Sequence, residues 1–435
     1  MDKSGRVVVG LLGMGVVGGG VAHVIKNEAG QIARRIGRPL YIKGILIQDK
    51  TKRRDLGISS ELFTNQPEDL LDDPEIDIVI ELIGGEQPPL RLIQEAIKQG
   101  KHVVTANKEL MAKHGPELLI LARDREVSLH YEASVGGGIP IIGPLTKDLL
   151  ANDIYSIHAI INGTTNYILT SMASKGTDFT DALEEAKALG YAEADPINDI
   201  EGVDAAYKIA ILASLAFHTR VRAQDVYHEG ITRIMPRDFR YAQELGYVIK
   251  LLAIARRQGG FVDVRVHPAF VPEQHLLAKV GGVFNAVEVE GSLVGRVVFH
   301  GQGAGPSPTA SAVMGDVMDI ARGIHSGGKI SPPMNLNSAL TIKPIEEVHT
   351  RYYMRMTVAD QPGVFTQISQ ILGERNISIA SLMQKETYLS SGTAEVVIMT
   401  HPSQESSVRE AMKEVNDLKA VNSIGNFVRV EHWGS

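Results

Sequence analysis

The chain has 435 residues, with 44 basic and 51 acidic side chains, a formal charge of −7, 44% hydrophobic and 22% charged residues, and no cysteine. This is the composition of a folded chain long enough for several domains. Its mild acidity argues against nucleic acid as the main partner, and the lack of cysteine excludes disulfides, thiolate nucleophiles and cysteine-ligated metals. The sequence MDKSGRVVVG enters a strand pattern without a signal-peptide pattern, and no apolar run of ~20 residues could span a bilayer, so a cytoplasmic protein away from membranes is expected.

Arg6 to Leu12 (RVVVGLL) is a continuous apolar run, as in a strand buried on both faces. Gly13, Gly15 and Gly18 follow in GMGVVG, and then a helix to about Asn27. G-x-G-x-x-G between strand and helix points to a dinucleotide site. The first glycine allows a tight turn, the second lets a pyrophosphate approach the backbone, and the third permits close helix–strand packing. The expected cofactor contacts here are Leu12, Gly13, Met14, Gly15, Val16, Val17 and Gly18. The second strand, Tyr41 to Gln48, ends at Asp49, Lys50, Lys52, Arg53 and Arg54. An acid at this strand end suits NAD, whereas a basic cluster such as Arg53 suits the 2′-phosphate of NADP. Either cofactor is accommodated, with NADP slightly favoured.

Ile76 to Leu82 is another buried strand, and Ile83 to Gly85 is the loop at its carboxyl end, with Ile83 and Gly84 as cofactor contacts. A helix is predicted from Pro89 to Gln99, a strand from His102 to Thr105, a helix from Lys113 to Arg123 and a strand from Val127 to Tyr131. Lys108 follows a strand end, where doubly wound sheets meet their ligands. At Glu132 the character changes to EASVGGGIPII, a carboxylate beside successive glycines. Exposed carbonyls together with Glu132 suit a hard cation, and a domain hinge is the alternative.

Ile154 to Asn162 alternates as a strand does. Gly163 to Asn166 leads into a helix, and Phe179 to Leu189 is an amphipathic helix ended by Gly190. The stretch Tyr191 to Lys208 carries carboxylates at Glu193, Asp195, Asp199, Glu201 and Asp204, then Lys208, then the apolar IAILASLAF. A helix from about Gly202 places Asp204 and Lys208 four apart on one face at the mouth of a buried segment. Desolvation there would lower the lysine's pKa, which suits proton transfer, while an ordinary capping and ion-pair role is the alternative. From 220 to 300, strand patterns (FVDVRVHPAFV, NAVEVEG, GRVVFHG) with helices between them point to an α+β domain with an antiparallel sheet. The glycine-rich loop of GQGAGPSPTASA, including Gly303, opens another helix, and either closes over the nicotinamide end or only returns the chain to the first domain. Gly323 to Thr350 is irregular and reads as a linker. The last ~85 residues give the order βαββαβ, a ferredoxin-like module without a catalytic constellation.

Taken together, GMGVVG, TANKEL at 105–110, EASVGGGIPII at 132–142, GTTNYIL at 163–169, LGYAEADP at 189–196, IEGVDAAYK at 200–208 and GAGPSPTASAVMGD at 303–316 resemble the homoserine dehydrogenase family, in the family's order. The tail, with its DQPGVF turn, resembles an ACT domain, and the family's long form joins the two parts in this order. The resemblance implies three domains: an α/β Rossmann dinucleotide-binding domain at 1–132, completed by about 301–325; an α+β substrate and dimerisation domain at 133–300; and, after a linker at 326–350, a ferredoxin-like ACT regulatory domain at 351–435. It also implies reversible NAD(P)-linked conversion of L-homoserine and L-aspartate 4-semialdehyde in threonine, methionine and isoleucine biosynthesis. Lys208 would be the proton donor and acceptor, and Lys108 would lie at the cofactor–substrate junction. Glu193 and Asp204 would hold the substrate. Glu132, Val135, Gly137 and Ile139 would bind sodium, three of them through backbone oxygens. L-threonine would act as effector at the ACT domain of a homodimer or homotetramer. Where the family often has an arginine near the end of the second strand, this chain has Gln48.

Overall fold

The run RVVVGLL has no polar position to turn toward water. In the computed structural model, which describes residues 5–49, 58–326, 336, 340–388 and 392–433, it forms the strand Val7–Leu12, with every residue buried. Each fully buried Val or Leu contributes roughly 1.5–3 kcal/mol, so this strand anchors a core. It lies at the centre of a six-stranded sheet in the order Phe63–Thr64, Leu40–Leu46, Val7–Leu12, Ile78–Glu81, His102–Thr105, Leu129–His130. All its pairings are parallel. The strand order reverses beside Val7–Leu12, and a ligand crevice in such sheets opens at the carboxyl ends of the strands at that point. The helices Val16–Asn27 and Pro306–Ser326 cover one face through Val21, Ala22 and Ile25 against Ala310, Val313 and Val317. This close approach uses Gly20, where a Cβ would stand 3.3 Å from the Pro306 carbonyl oxygen.

The predicted strand at 127–131 is reduced to Leu129–His130. The helix expected from Lys113 begins at Lys108 and runs to Asp124, because Asn107 caps it: its side chain accepts from Leu110 N at 3.0 Å. A helix not read from sequence, Ala29–Ile36, precedes the second strand and ends at Gly37, φ +83°.

The chain forms two units, the first comprising 1–154, 207–224 and 285–339, the second 155–206, 225–284 and 340–435. In the second, a mixed sheet runs Ile154–Ile160, Tyr247–Gln258, Phe261–Pro272, Val421–Val430, His349–Ala359, Thr393–Thr400, Ile379–Tyr388. The strand Tyr247–Gln258 was not among the strand patterns read from sequence. Its middle, Ile249 to Ala255, is buried on both faces. Such a strand shows an unbroken apolar run rather than alternation, and its Leu, Ala and Lys residues are also good helix formers.

The final four strands and the helices Val364–Glu374 and Glu405–Asn416 form the βαββαβ module around a core that includes Tyr352, Met354, Ile368, Val396 and Val408. Its edge strand joins the preceding sheet in parallel through only two residue pairs, Ala269–Arg429 and Phe270–Val430. Buried charges strengthen the junction. Glu431 accepts from Arg256 at 2.5 Å and Arg265 at 2.7 Å. Burial opposes its ionisation, but the two guanidinium groups hold its carboxyl well below the usual range. Part of the predicted linker, 327–335 and 337–339, lies outside the described residues. The remainder is partly ordered: Gly323 belongs to the helix Pro306–Ser326, and Thr341–Ile342 pairs with Phe261–Val262.

Candidate active site

The dinucleotide loop is dictated by its glycines. Gly13 has φ +102°, and a Cβ there would meet the Leu82 carbonyl oxygen at 2.8 Å. A Cβ on Gly18 would lie 2.2 Å from the Gly13 oxygen. Gly15 faces open space, with nothing within 4 Å of its Cβ position. It is the N-terminal cap of Val16–Asn27, a helix with no acidic residue in its first turn. Two tight glycines and one open one, at the positive end of a helix, form a cradle for a pyrophosphate. Leu12 is buried at the strand end, Met14 and Val17 are half-buried, and Val16 is 71% exposed. Arg53, with Lys50, Lys52 and Arg54, lies outside the described residues.

The neighbouring loop is fixed by a residue that sequence reading passed over. Glu81 is fully buried. Its Oε1 accepts from Ile83 N at 2.7 Å and Gly84 N at 3.1 Å, and its Oε2 accepts from the Thr105 hydroxyl at 2.6 Å. Asn107 donates to Gly85 O at 2.7 Å while capping the helix that starts at Lys108. Thus Ile83, Gly84 and the half-buried Lys108 are held at adjacent strand ends of the parallel sheet. An acid ending a buried strand was the available signal for Glu81.

The acidic stretch resolves into distinct roles. Asp195 accepts from Ile197 N at 3.2 Å, the expected capping role, at the start of a short helix Ile197–Ile200. Glu193 is exposed, on a segment tied down where the Thr164 hydroxyl donates to Tyr191 O at 2.7 Å. Asp204 and Lys208 lie one turn apart on the helix Val203–Phe217, Asp204 buried and Lys208 half-buried. Asp199, read from sequence mainly as a capping residue, shares a donor with Asp204: Asn162 Nδ2 donates to Asp199 Oδ1 at 2.7 Å and Asp204 Oδ2 at 2.9 Å. Neither Asn162 nor this pairing was anticipated.

The loop at Glu132 departs from the expected arrangement. Its carboxylate does not reach outward with the carbonyls. Oε1 accepts from Ile141 N at 2.6 Å and Ile142 N at 2.8 Å, and Oε2 accepts from Gly143 N at 2.6 Å. Its backbone N–H donates to Asp316 Oδ2 at 2.8 Å, and burial pushes the Asp316 carboxyl up to about 8. Val135, Gly137 and Ile139 are buried, and among the described residues no protein donor reaches their carbonyl oxygens. Buried acceptors left in this way fit a hard monovalent cation. Among the described residues no group of three or more His, Cys, Asp or Glu could hold a metal ion, so the fit rests on backbone oxygens. Gly303 packs here: a Cβ on Gly137 would meet its oxygen at 2.4 Å.

These features can be set beside known proteins. Residues 13–132 match the homoserine dehydrogenase NAD-binding domain, 140–318 the homoserine dehydrogenase catalytic family and 352–420 the ACT domain. The homoserine dehydrogenase of Neisseria gonorrhoeae is 44% identical over 430 residues, spanning 98% of both chains. The chain belongs to the homoserine dehydrogenase family. The enzyme of Pseudomonas aeruginosa is 42% identical over 433 residues, covering 98% of this chain and 99% of its own. The crystal structure of a homoserine dehydrogenase from Thiobacillus denitrificans superposes with a TM-score of 0.91 at 43% identity, covering 98% of each chain. A hyperthermophilic archaeal homoserine dehydrogenase solved in complex with NADPH matches at a TM-score of 0.63 and 27% identity, over 76% of this chain and 99% of its own. As a homoserine dehydrogenase the chain has an NAD(P)-binding domain, a catalytic domain and an ACT regulatory domain. Among the described residues no helix is long and apolar enough to cross a membrane.

Proposed function

We propose that the protein catalyses the reversible NAD(P)-linked interconversion of L-aspartate 4-semialdehyde and L-homoserine, in the route to threonine, methionine and isoleucine, with Lys208 as the proton donor and acceptor. The observation that carries this reading is the helix Val203–Phe217, whose first turns present a buried acid, Asp204, and a half-buried ammonium, Lys208, on one face. When bound, the nicotinamide supplies or accepts the hydride. Lys208 delivers a proton to the aldehyde oxygen in reduction and removes it from the hydroxyl in oxidation, and its positive charge stabilises the developing alkoxide. Asp204 and Glu193 accept hydrogen bonds from the substrate's ammonium and hydroxyl groups. Lys108, at the start of its helix beside the loop fixed by Glu81, serves the junction of cofactor and substrate.

NADP is the favoured cofactor over NAD. The basic run from Lys50 to Arg54 supports this, as does the archaeal relative solved with NADPH. The Gly13–Gly18 loop, Ile83, Gly84 and Arg53 would hold it, with Gly303 on the loop leading to the helix that covers the sheet. A sodium ion would be held at Glu132, Val135, Gly137 and Ile139, three of them through backbone oxygens, with the amides of Ile141 to Gly143 fixing the Glu132 carboxylate beside it. The ACT domain would bind L-threonine as a feedback effector. We assign the enzyme to the cytoplasm as a homodimer or homotetramer. L-Homoserine-dependent reduction of NADP⁺ and NAD⁺ by the wild type and by Lys208→Ala tests the reading.

A further inference from the structure

Glu81 ends the buried strand Ile78–Glu81 at the carboxyl edge of the parallel sheet, and none of it is exposed. A carboxylate there is costly unless donors surround it. Ile83 N and Gly84 N donate to Oε1 at 2.7 Å and 3.1 Å, and the Thr105 hydroxyl donates to Oε2 at 2.6 Å. The Thr105 oxygen in turn accepts from Asn107 N at 3.0 Å. All three donors to Glu81 are neutral, and among the described residues no cationic side chain pairs with it.

Bracing this loop does not need a charge. Asn107 holds the same loop with a neutral amide, donating to Gly85 O at 2.7 Å. A glutamine at position 81 could accept from the loop amides with its oxygen and donate to the Thr105 oxygen with its nitrogen. What it would not supply is the negative charge, and that charge has a particular place. The strand order turns at Val7–Leu12, with Leu40–Leu46 on the side read by the adenosine ribose and with Ile78–Glu81 and His102–Thr105 on the other. The second nucleotide of a dinucleotide therefore falls to the half that holds Glu81. Ile83 and Gly84 are exposed, and their N–H groups are taken by Glu81. Among the described residues no protein donor reaches their carbonyl oxygens. Carboxylate and carbonyls alike favour positive charge at this point. The nicotinamide ring carries a positive charge when oxidised and none when reduced, while the rest of the cofactor is the same in both forms. Lys108 brings the opposite charge to the neighbouring strand end, but it is half-buried and so more screened by water than Glu81.

We propose that Glu81 is a positioning residue for the nicotinamide end of the cofactor, and that its buried charge shifts the binding preference of the site toward the oxidised form. This rests on the reading of Ile83 and Gly84 as cofactor contacts. Glu81 then acts through the loop it holds and through its field, without touching the ring.

Glu81→Gln separates the charge from the bracing. Equilibrium binding of NADP⁺ and of NADPH is measured on the full chain, wild type and variant, by titration without substrate. The ratio of the NADP⁺ to the NADPH dissociation constant should rise roughly tenfold in the variant, the order expected when a buried unit charge near another is removed. A purely structural role would weaken both forms by the same factor and leave the ratio where it was, and that result overturns the proposal. Ile83→Glu carries the test if Glu81→Gln does not fold. Ile83 is 40% exposed, so an added carboxylate there is tolerated, and it should lower the same ratio. A ratio unmoved by Ile83→Glu shows that the ring does not sense charge at this loop and overturns the proposal as well. A wild type that binds neither NADP(H) nor NAD(H) would instead remove the cofactor reading beneath it.

Discussion

Arg355 is the residue on which the attachment of the ACT domain most visibly depends. Its side chain is 3% exposed. Nε donates to Asp238 Oδ1 at 2.7 Å and Nη1 to Glu395 Oε2 at 3.2 Å, and neither carboxylate side chain has any exposure. Asp238 lies on the helix Pro236–Glu244 of the preceding segment, and Glu395 on the module's own strand. Arg355→Met keeps the length of the stem but removes the charge. Asp238 then retains only neutral donors, the Tyr353 hydroxyl at 2.9 Å, Asn426 Nδ2 at 2.7 Å and the Met235 N–H at 2.9 Å. Glu395 retains Tyr241 and Arg237, the latter 38% exposed and so partly screened. Breaking a buried pair in this way costs about 3–5 kcal/mol. For a unit of roughly 200 residues that lowers Tm by about 10 °C. Trp433 is the only tryptophan in the chain and stacks on His275 at 3.8 Å beside this junction, so its fluorescence follows the transition. A Tm within 2 °C of the wild type at pH 8, by the size scaling used above, would refute the view that this charge cluster fastens the module.

Two further outcomes follow from packing and burial. Lys250 is 5% exposed and donates to Val280 O at 2.5 Å and Asn166 Oδ1 at 3.2 Å, and burial lowers its pKa from 10.5 to about 8. The unfolded state holds the extra proton between those values, so stability rises with pH across that window, by up to about 3 kcal/mol. Lys250→Met should lack this rise, so the wild type's stability relative to the variant, from urea denaturation, should be greater at pH 10 than at pH 8. Gly18→Ala, whose Cβ would stand 2.2 Å from the Gly13 oxygen, should weaken NADPH binding by an order of magnitude or more in a titration, while leaving the Trp433 unfolding transition in place.

Much of the nucleotide-binding half was legible because its signals are local. A continuous apolar strand, a glycine fingerprint and a helix lie within a few turns of one another, and the sheet order follows from right-handed crossovers. The order of elements in the ACT domain was legible for the same reason. What spacing could not show were contacts made across the chain. The pairing of Asp199 with Asp204 depends on Asn162, some forty residues away. The attachment of the ACT domain depends on two ladder pairs and on Arg355 meeting Asp238, more than a hundred residues earlier. Which way the Glu132 carboxylate points beside its glycine-rich loop was not legible either. Its oxygens are taken by the amides of Ile141 to Gly143, whose nearness only the folded turn reveals.

Lys208, proposed above to move the proton in homoserine oxidation, can be tested directly. The measurement is the initial rate of NADP⁺ reduction with L-homoserine, wild type against Lys208→Ala, with NADPH binding measured on both. Turnover in the wild type, a fall of roughly 10²–10⁴-fold in kcat for the variant, and unchanged NADPH affinity are expected. Near-wild-type turnover in Lys208→Ala, or no turnover in wild-type protein that binds NADPH, would contradict that role.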